Sequence, residues 1–86
     1  MKVIFENKFG MEREIGEGNT KREVYKVVAD FLKSYNYKSY YTRSWIKNTE
    51  RDDLFYVMLD VGSHSEFFKI PFSTYMEAEG FLKESQ

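Results

Sequence analysis

Leu54-Phe55-Tyr56-Val57-Met58-Leu59-Asp60-Val61 is the most apolar run of the chain and decides its fold. In an extended strand side chains alternate sides, so Phe55, Val57, Leu59 and Val61 share one face. Leu54, Tyr56, Met58 and Asp60 share the other. Both faces are largely apolar, which predicts a central strand, Asp53–Val61, flanked by two others. The flanking strands are read at Tyr37–Lys47 and Ser65–Ile70. Asn48-Thr49-Glu50-Arg51-Asp52-Asp53 makes the first connection and Gly62-Ser63-His64-Ser65 the second. Phe68 and Ile70 should align with Val57 and Leu59, leaving Phe67 and Lys69 on the second face. Across the first connection the register is open by one residue, so Trp45 shares a face with either Val57 or Met58.

Upstream, Val3-Ile4-Phe5 and Arg13-Glu14-Ile15 flank Asn7-Lys8-Phe9-Gly10, whose Asn and Gly favour a turn. The stretch reads as a hairpin from Lys2 to Gly16. Its charged, alternating second arm suits a sheet edge. Thr20-Lys21-Arg22-Glu23 fits a capping box. Val24, Val27, Val28, Phe31, Leu32 and Tyr35 then recur at helical spacing and make one apolar stripe. Asn36 is the expected stop. Pro71 is expected to end the third strand by removing a ladder donor. Ser73 or Thr74 caps a last helix whose inner stripe is Tyr75, Ala78, Phe81 and Leu82, with Gly80 weakening it. The expected architecture is α+β, order ββ-α-βββ-α, one domain over residues 1–86. It is a four- to five-stranded antiparallel sheet with two helices on one face. The other face is left open.

Composition sets limits. A chain of 86 residues makes one domain, and its 19% aromatic content compensates for a small core. The absence of cysteine removes disulfides and thiolate metal sites, and one histidine removes any site needing two imidazoles. No apolar run is long enough to span a bilayer, which needs about 20 residues. Met1-Lys2-Val3-Ile4-Phe5-Glu6 meets an acid too early for a signal peptide, so a cytoplasmic location is expected. The net charge of −1 hides an asymmetry: residues 20–47 balance to +5 and residues 48–86 to −5. Either both sets are solvated faces, or the first offers a basic face to an acidic or phosphate-bearing partner. Basic-end to acidic-end self-association is the third reading.

Catalytic chemistry finds little footing. His64 sits on a turn with Ser63, Ser65, Glu66 and Asp60 near in sequence. A relay needs a base bonded to a nucleophile and oriented by a third group, which adjacent residues of one turn rarely achieve. A turn histidine capping backbone groups is the simpler reading, with a ligand contact as the alternative. Asp60, His64 and Glu66 match no metal-binding spacing, and Asp52-Asp53 lacks a calcium-loop pattern. Gly16-Glu17-Gly18 lacks the rest of a phosphate loop. No catalytic residue, metal or cofactor is assigned.

Lys38-Ser39-Tyr40-Tyr41-Thr42-Arg43-Ser44-Trp45-Ile46-Lys47 is the most informative stretch. Its rings could fill the core, with Arg43 reaching outward past them. They could also anchor a protein interface, stack on bases with basic groups meeting phosphate, or line a small-molecule pocket. The leading expectation is a non-enzymatic binding protein using the open face and the second turn, through Tyr41, Arg43, Trp45, Tyr56, His64 and Glu66. A nucleic-acid or nucleotide-binding module using segment 38–47 is the alternative, and a homodimer would also cover an open sheet.

Two resemblances add to this. Helix–three strands–helix from Thr20 to Ser85 is the order of the double-stranded RNA-binding domain, and Gly62-Ser63-His64 is similar to that family's Gly-Pro-x-His loop. Here the loop follows the second strand, and Ser73-Thr74-Tyr75-Met76-Glu77 replaces the family's lysine cluster, so the likeness is one of topology. Ser39-Tyr40-Tyr41-Thr42-Arg43-Ser44-Trp45 and Asp60-Val61-Gly62-Ser63-His64-Ser65-Glu66-Phe67-Phe68 resemble segments of small accessory proteins of phages and prophages of low-GC Gram-positive bacteria. The scarcity of alanine and proline beside abundant Lys, Phe and Tyr agrees with AT-rich codons. This resemblance implies the cytoplasm of an infected host cell, a host protein as partner, and a role in takeover or counter-defence such as anti-CRISPR-type inhibition.

Overall fold

The computed structural model describes residues 1–35, 42–63 and 65–84. Among these residues the elements are β1 (Lys2–Glu6), β2 (Glu12–Glu17), α1 (Lys21–Ser34), β3 (Arg43–Asn48), β4 (Phe55–Asp60), β5 (Phe67–Phe72) and α2 (Tyr75–Lys83). The strands form one antiparallel sheet in the order β2-β1-β5-β4-β3. The fold is therefore α+β with the expected ββ-α-βββ-α order. The apolar run of β4 lies between β3 and β5. The middle of the whole sheet falls to β5, because β1 pairs with its far side.

Local chemistry explains the connections. Asn7 Oδ1 accepts from the backbone N–H of Phe9 (2.9 Å) and of Met11 (3.0 Å), and Gly10 takes φ of 80°. These contacts close the β1–β2 turn. The ladder then slips between Val3, opposite Gly16, and Ile4, opposite Glu14, which leaves Ile15 as a bulge in the outer strand. Thr20 Oγ1 accepts from Glu23 N–H at 3.1 Å, and the Glu23 carboxylate accepts from Asn19 N–H at 3.1 Å. The capping box is thus closed one residue earlier than the usual pattern. In the last helix Thr74 Oγ1 caps Glu77 N–H, while Ser73 and Thr74 hydroxyls both donate to the Glu77 carboxylate.

The two helices cover one face of the sheet. Val3, Phe5, Val57, Leu59, Phe68 and Ile70 meet Val24, Val28 and Phe31 of α1 and Ala78 and Phe81 of α2. Val57 pairs with Ile70 and Leu59 with Phe68, the alignment expected from alternation. The rings of Phe5, Phe31 and Phe68 lie with centroids 4.7 to 5.8 Å apart, a spacing favourable for tilted and edge contacts. Lys21 is buried at the start of α1, and its ammonium donates to the carbonyls of Leu82 (2.9 Å) and Glu84 (2.8 Å). It satisfies the carbonyl end of α2, where a cation also opposes the helix dipole.

Two expectations are corrected. Pro71 lies inside β5, opposite Tyr56. The β1 ladder has ended at Ile4–Lys69, so β5 is an edge on that side and a missing donor there costs little. Tyr75 is half exposed rather than part of the inner stripe, standing edge-on to Phe55 at 6.0 Å. α1 ends at Ser34 with Tyr35 as its cap, and the expected stop at Asn36 lies outside the described residues.

The glycines of the two helix regions should respond oppositely to alanine. A Cβ at the exposed helical Gly80 would meet nothing within 4 Å, whereas one at Gly18 would lie 2.8 Å from the backbone nitrogen of Val24. Gly80→Ala is expected to stabilise by about 1 kcal/mol. Gly18→Ala is expected to destabilise by roughly 1–3 kcal/mol. Urea denaturation midpoints read both.

Candidate functional site

The face turned away from the helices is set by the registers. Trp45 pairs with Met58, Met58 with Lys69, Lys69 with Ile4, and Ile4 with Glu14. Since Val57 and Leu59 belong to the helix-covered core, this row lies on the opposite side. The register left open in the sequence is thereby settled: Trp45 shares the face of Met58. Tyr56, Phe67, Arg43 and Asp60 fall on the same side.

Two polar–aromatic assemblies close most of this face. At its centre Lys69 is 5% exposed. Its ammonium donates to Glu6 Oε1 at 3.1 Å and Glu12 Oε2 at 2.8 Å, and lies 4.3 Å from the centre of the Tyr56 ring. Burial pulls the ammonium pKa down, but the hydrogen bonds to Glu12 and Glu6 outweigh it and hold it above the ordinary lysine value. At the β3 edge the Arg43 guanidinium lies 4.8 Å from the Trp45 ring centre. Its Nη2 donates to Asp60 Oδ2 at 3.3 Å. The Asp60 side chain is fully buried, and its Oδ1 accepts from Gly62 N–H at 2.9 Å. Trp45 stands edge-on to Phe67 at 5.9 Å. Met58 is sealed beneath, while Trp45, Tyr56 and Phe67 remain half-buried and Arg43 is 58% exposed.

Of the residues read from sequence, Arg43, Trp45 and Tyr56 share this face. Glu66 does not join them. It borders a small crevice on the helix side with Phe5, Tyr35 and Phe68, and its backbone N–H and C=O both bond the Ser63 hydroxyl. Tyr41 and His64 lie outside the described residues, as does the whole Tyr37–Tyr41 portion of the expected strand. Lys69, Asp60 and Phe67 complete the assembly. Only alternation along β5 and the apolar neighbours of Lys69 hinted at their part. The basic run of residues 20–47 does not form one surface. Lys26 and Lys33 project from α1 on the helix side, Lys21 is buried, and Arg43 and Lys47 stand on the opposite face.

Other surface features are more modest. An apolar cleft of about 390 Å³ opens between α1 and the β4 end, lined by Tyr25, Val28, Leu32, Thr42, Leu59 and Val61 among others. Burial raises the Tyr25 phenol pKa. Phe9 and Met11 at the β1–β2 tip and Met76 on α2 are exposed, but such scattered side chains are ordinary on soluble domains. Among the described residues no group of His, Asp and Glu converges as a metal set, and no helix is long and apolar enough to cross a membrane. Comparisons with protein-family models, curated proteins and solved structures return no match to this chain.

Replacing Lys69 tests its part in the face. Lys69→Met keeps the stem but leaves Glu6 and Glu12 facing each other without a cation, at an expected cost of about 2 kcal/mol. A raised folded pKa contributes stability that is complete below the unfolded value, 10.5, and is lost as pH rises through the folded value. Wild type minus variant should therefore be constant from neutral pH to about that value and shrink above it, read from denaturation curves across pH.

Proposed function

We propose that this chain is a non-enzymatic binding protein whose open sheet face, centred on Trp45 with Arg43, Tyr56 and Phe67, docks onto a protein of a host cell. The observation that carries this reading is the Arg43–Trp45 pair. Its guanidinium is held over the indole by a buried carboxylate, and the ring is braced by Phe67 while staying half open to water. Tryptophan and arginine held in advance in this way lose little entropy on binding, and they are the residue types that dominate interface energies. The resemblance of segments 39–45 and 60–68 to phage and prophage accessory proteins supports placing this binding in the cytoplasm of an infected cell. The corresponding role is an inhibitor in host takeover or counter-defence, of the anti-CRISPR type.

Nucleic-acid binding is the second reading, favoured by the stacking surface of Trp45 beside Arg43 and Lys47. The charge of the face weighs against it. Glu6, Glu12, Glu14 and Asp60 share that side, and Arg43 and Lys69 are already engaged by acids. Phosphate binding would show a steep loss of affinity with salt.

The two readings separate experimentally. Trp45→Ala, at an edge strand, should keep the far-ultraviolet circular dichroism spectrum. It should weaken capture of the partner from host lysate about thirtyfold, the effect of losing an anchor worth about 2 kcal/mol. Met76→Ala, on the helix side, should capture as wild type does. Loss of the partner in neither variant, or a gel shift with nucleic acid that collapses with salt, would contradict the protein-docking reading.

A further inference from the structure

The two edges of the sheet are built differently. The β2 edge carries a bulge at Ile15 and the charges Glu12, Arg13, Glu14 and Glu17, with Glu12 tied to Lys69 and Glu14 to Lys2. Bulges and dense charge discourage a further strand. The β3 edge, Arg43–Asn48, is six residues of unbroken ladder against β4, without bulge, proline or glycine. Among the described residues nothing pairs with its outer side. The backbone groups of alternate β3 residues therefore point outward from a regular strand, which is a template for another strand.

We propose that β3 pairs antiparallel with β3 of a second copy, about a two-fold axis at Ile46, so that Lys47 of each copy meets Trp45 of the other. The choice of occupant and register follows from the side chains. Residues opposite each other in an antiparallel pair must lie on the same face. A two-fold at Trp45 would set Arg43 against Lys47 twice, and like charges directly opposite are destabilising. A two-fold at Ser44 would overlap little of the strand. A two-fold at Ile46 sets Ile46 against Ile46, Ser44 against Asn48 and Trp45 against Lys47. It covers the half-exposed Ile46, pairs exposed polar groups able to bond one another, and brings a second cation to the indole that already holds Arg43. Lys47, which blocks one register, favours the other.

An axis normal to the sheet keeps both open faces on the same side. Two Arg43–Trp45 clusters would then stand next to one another on a continuous sheet. A partner with two equivalent sites, or a symmetric one, would be held bivalently.

The chain contains no cysteine, which makes mapping clean. Ser44→Cys and Asn48→Cys are both at exposed positions, so both variants should fold. Mixed under mild oxidation they should give a disulfide-linked heterodimer, faster than either gives a homodimer, because a bridge requires Cα atoms within about 7 Å. Sedimentation velocity over a dilution series of the wild-type protein should show the apparent mass double with concentration. Trp45→Ala should shift that doubling to higher concentration. A single monomeric boundary at every concentration overturns the proposal. So does a mixed pair that cross-links no faster than a Lys26→Cys control on α1. A monomer that still captures a partner through Trp45 would remove the edge pairing and leave the docking reading in place.

Discussion

A lysine ammonium sits in the centre of the sheet with almost no access to water, and the rest of the open face depends on it. An ion withdrawn from water costs several kcal/mol unless it is closely paired. Lys69 on β5 finds Glu6 on β1 and Glu12 on β2, and lies against the Tyr56 ring on β4. One side chain thus joins four of the strands. A slip of one residue in β5 would turn the ammonium into the phenylalanine-lined core, far from either carboxylate, so the pairing also fixes register.

The two faces solve the problem of closure differently. On the helix side, apolar side chains from both layers interdigitate and Lys21 seals the end of α2. No element covers the other side among the described residues, so the sheet shields itself by laying long cations over rings. Lys69 on Tyr56 and Arg43 on Trp45 bury Met58 and the Asp60 carboxylate without a second layer. Near β3 the shield thins, because among the described residues the strand has a neighbour on one side only. Trp45 and Arg43 therefore combine rigidity with exposure, the pairing of properties that a docking surface needs.

Much of this could be read from the residues. The stripe of α1, the Asn-Gly turn, both helix caps and the alternation of β4 and β5 are local patterns, and local patterns are visible in a sequence. The register of β3 on β4 was not, since it depends on how the connection after Asn48 turns, where Thr49 Oγ1 bonds the carbonyl of Leu54. Pro71 misled because its tolerance depends on where β1 stops. The face of Lys69 followed from alternation, but its partners did not: its acids are 57 and 63 residues distant, and no local pattern marks them. A single basic face was one reading of the basic stretch, because helix and strand are neighbours in sequence. Folding sends Lys26 and Arg43 to opposite sides. Glu66 was grouped with Trp45 by proximity in sequence to the second turn, yet alternation puts it with Phe68.

Trp45 is the single tryptophan of the chain, so its fluorescence reports on the thin corner of the shield without any substitution. The most direct measurement is acrylamide quenching of that fluorescence in the dilute protein, compared with the urea-unfolded chain. Quenching at an intermediate rate, below that of the unfolded chain yet well above zero, is the result expected of a ring braced by Phe67 and Arg43 and still open to a partner. Emission that acrylamide fails to reach would place the indole in a sealed interior and contradict the assignment of this face to binding.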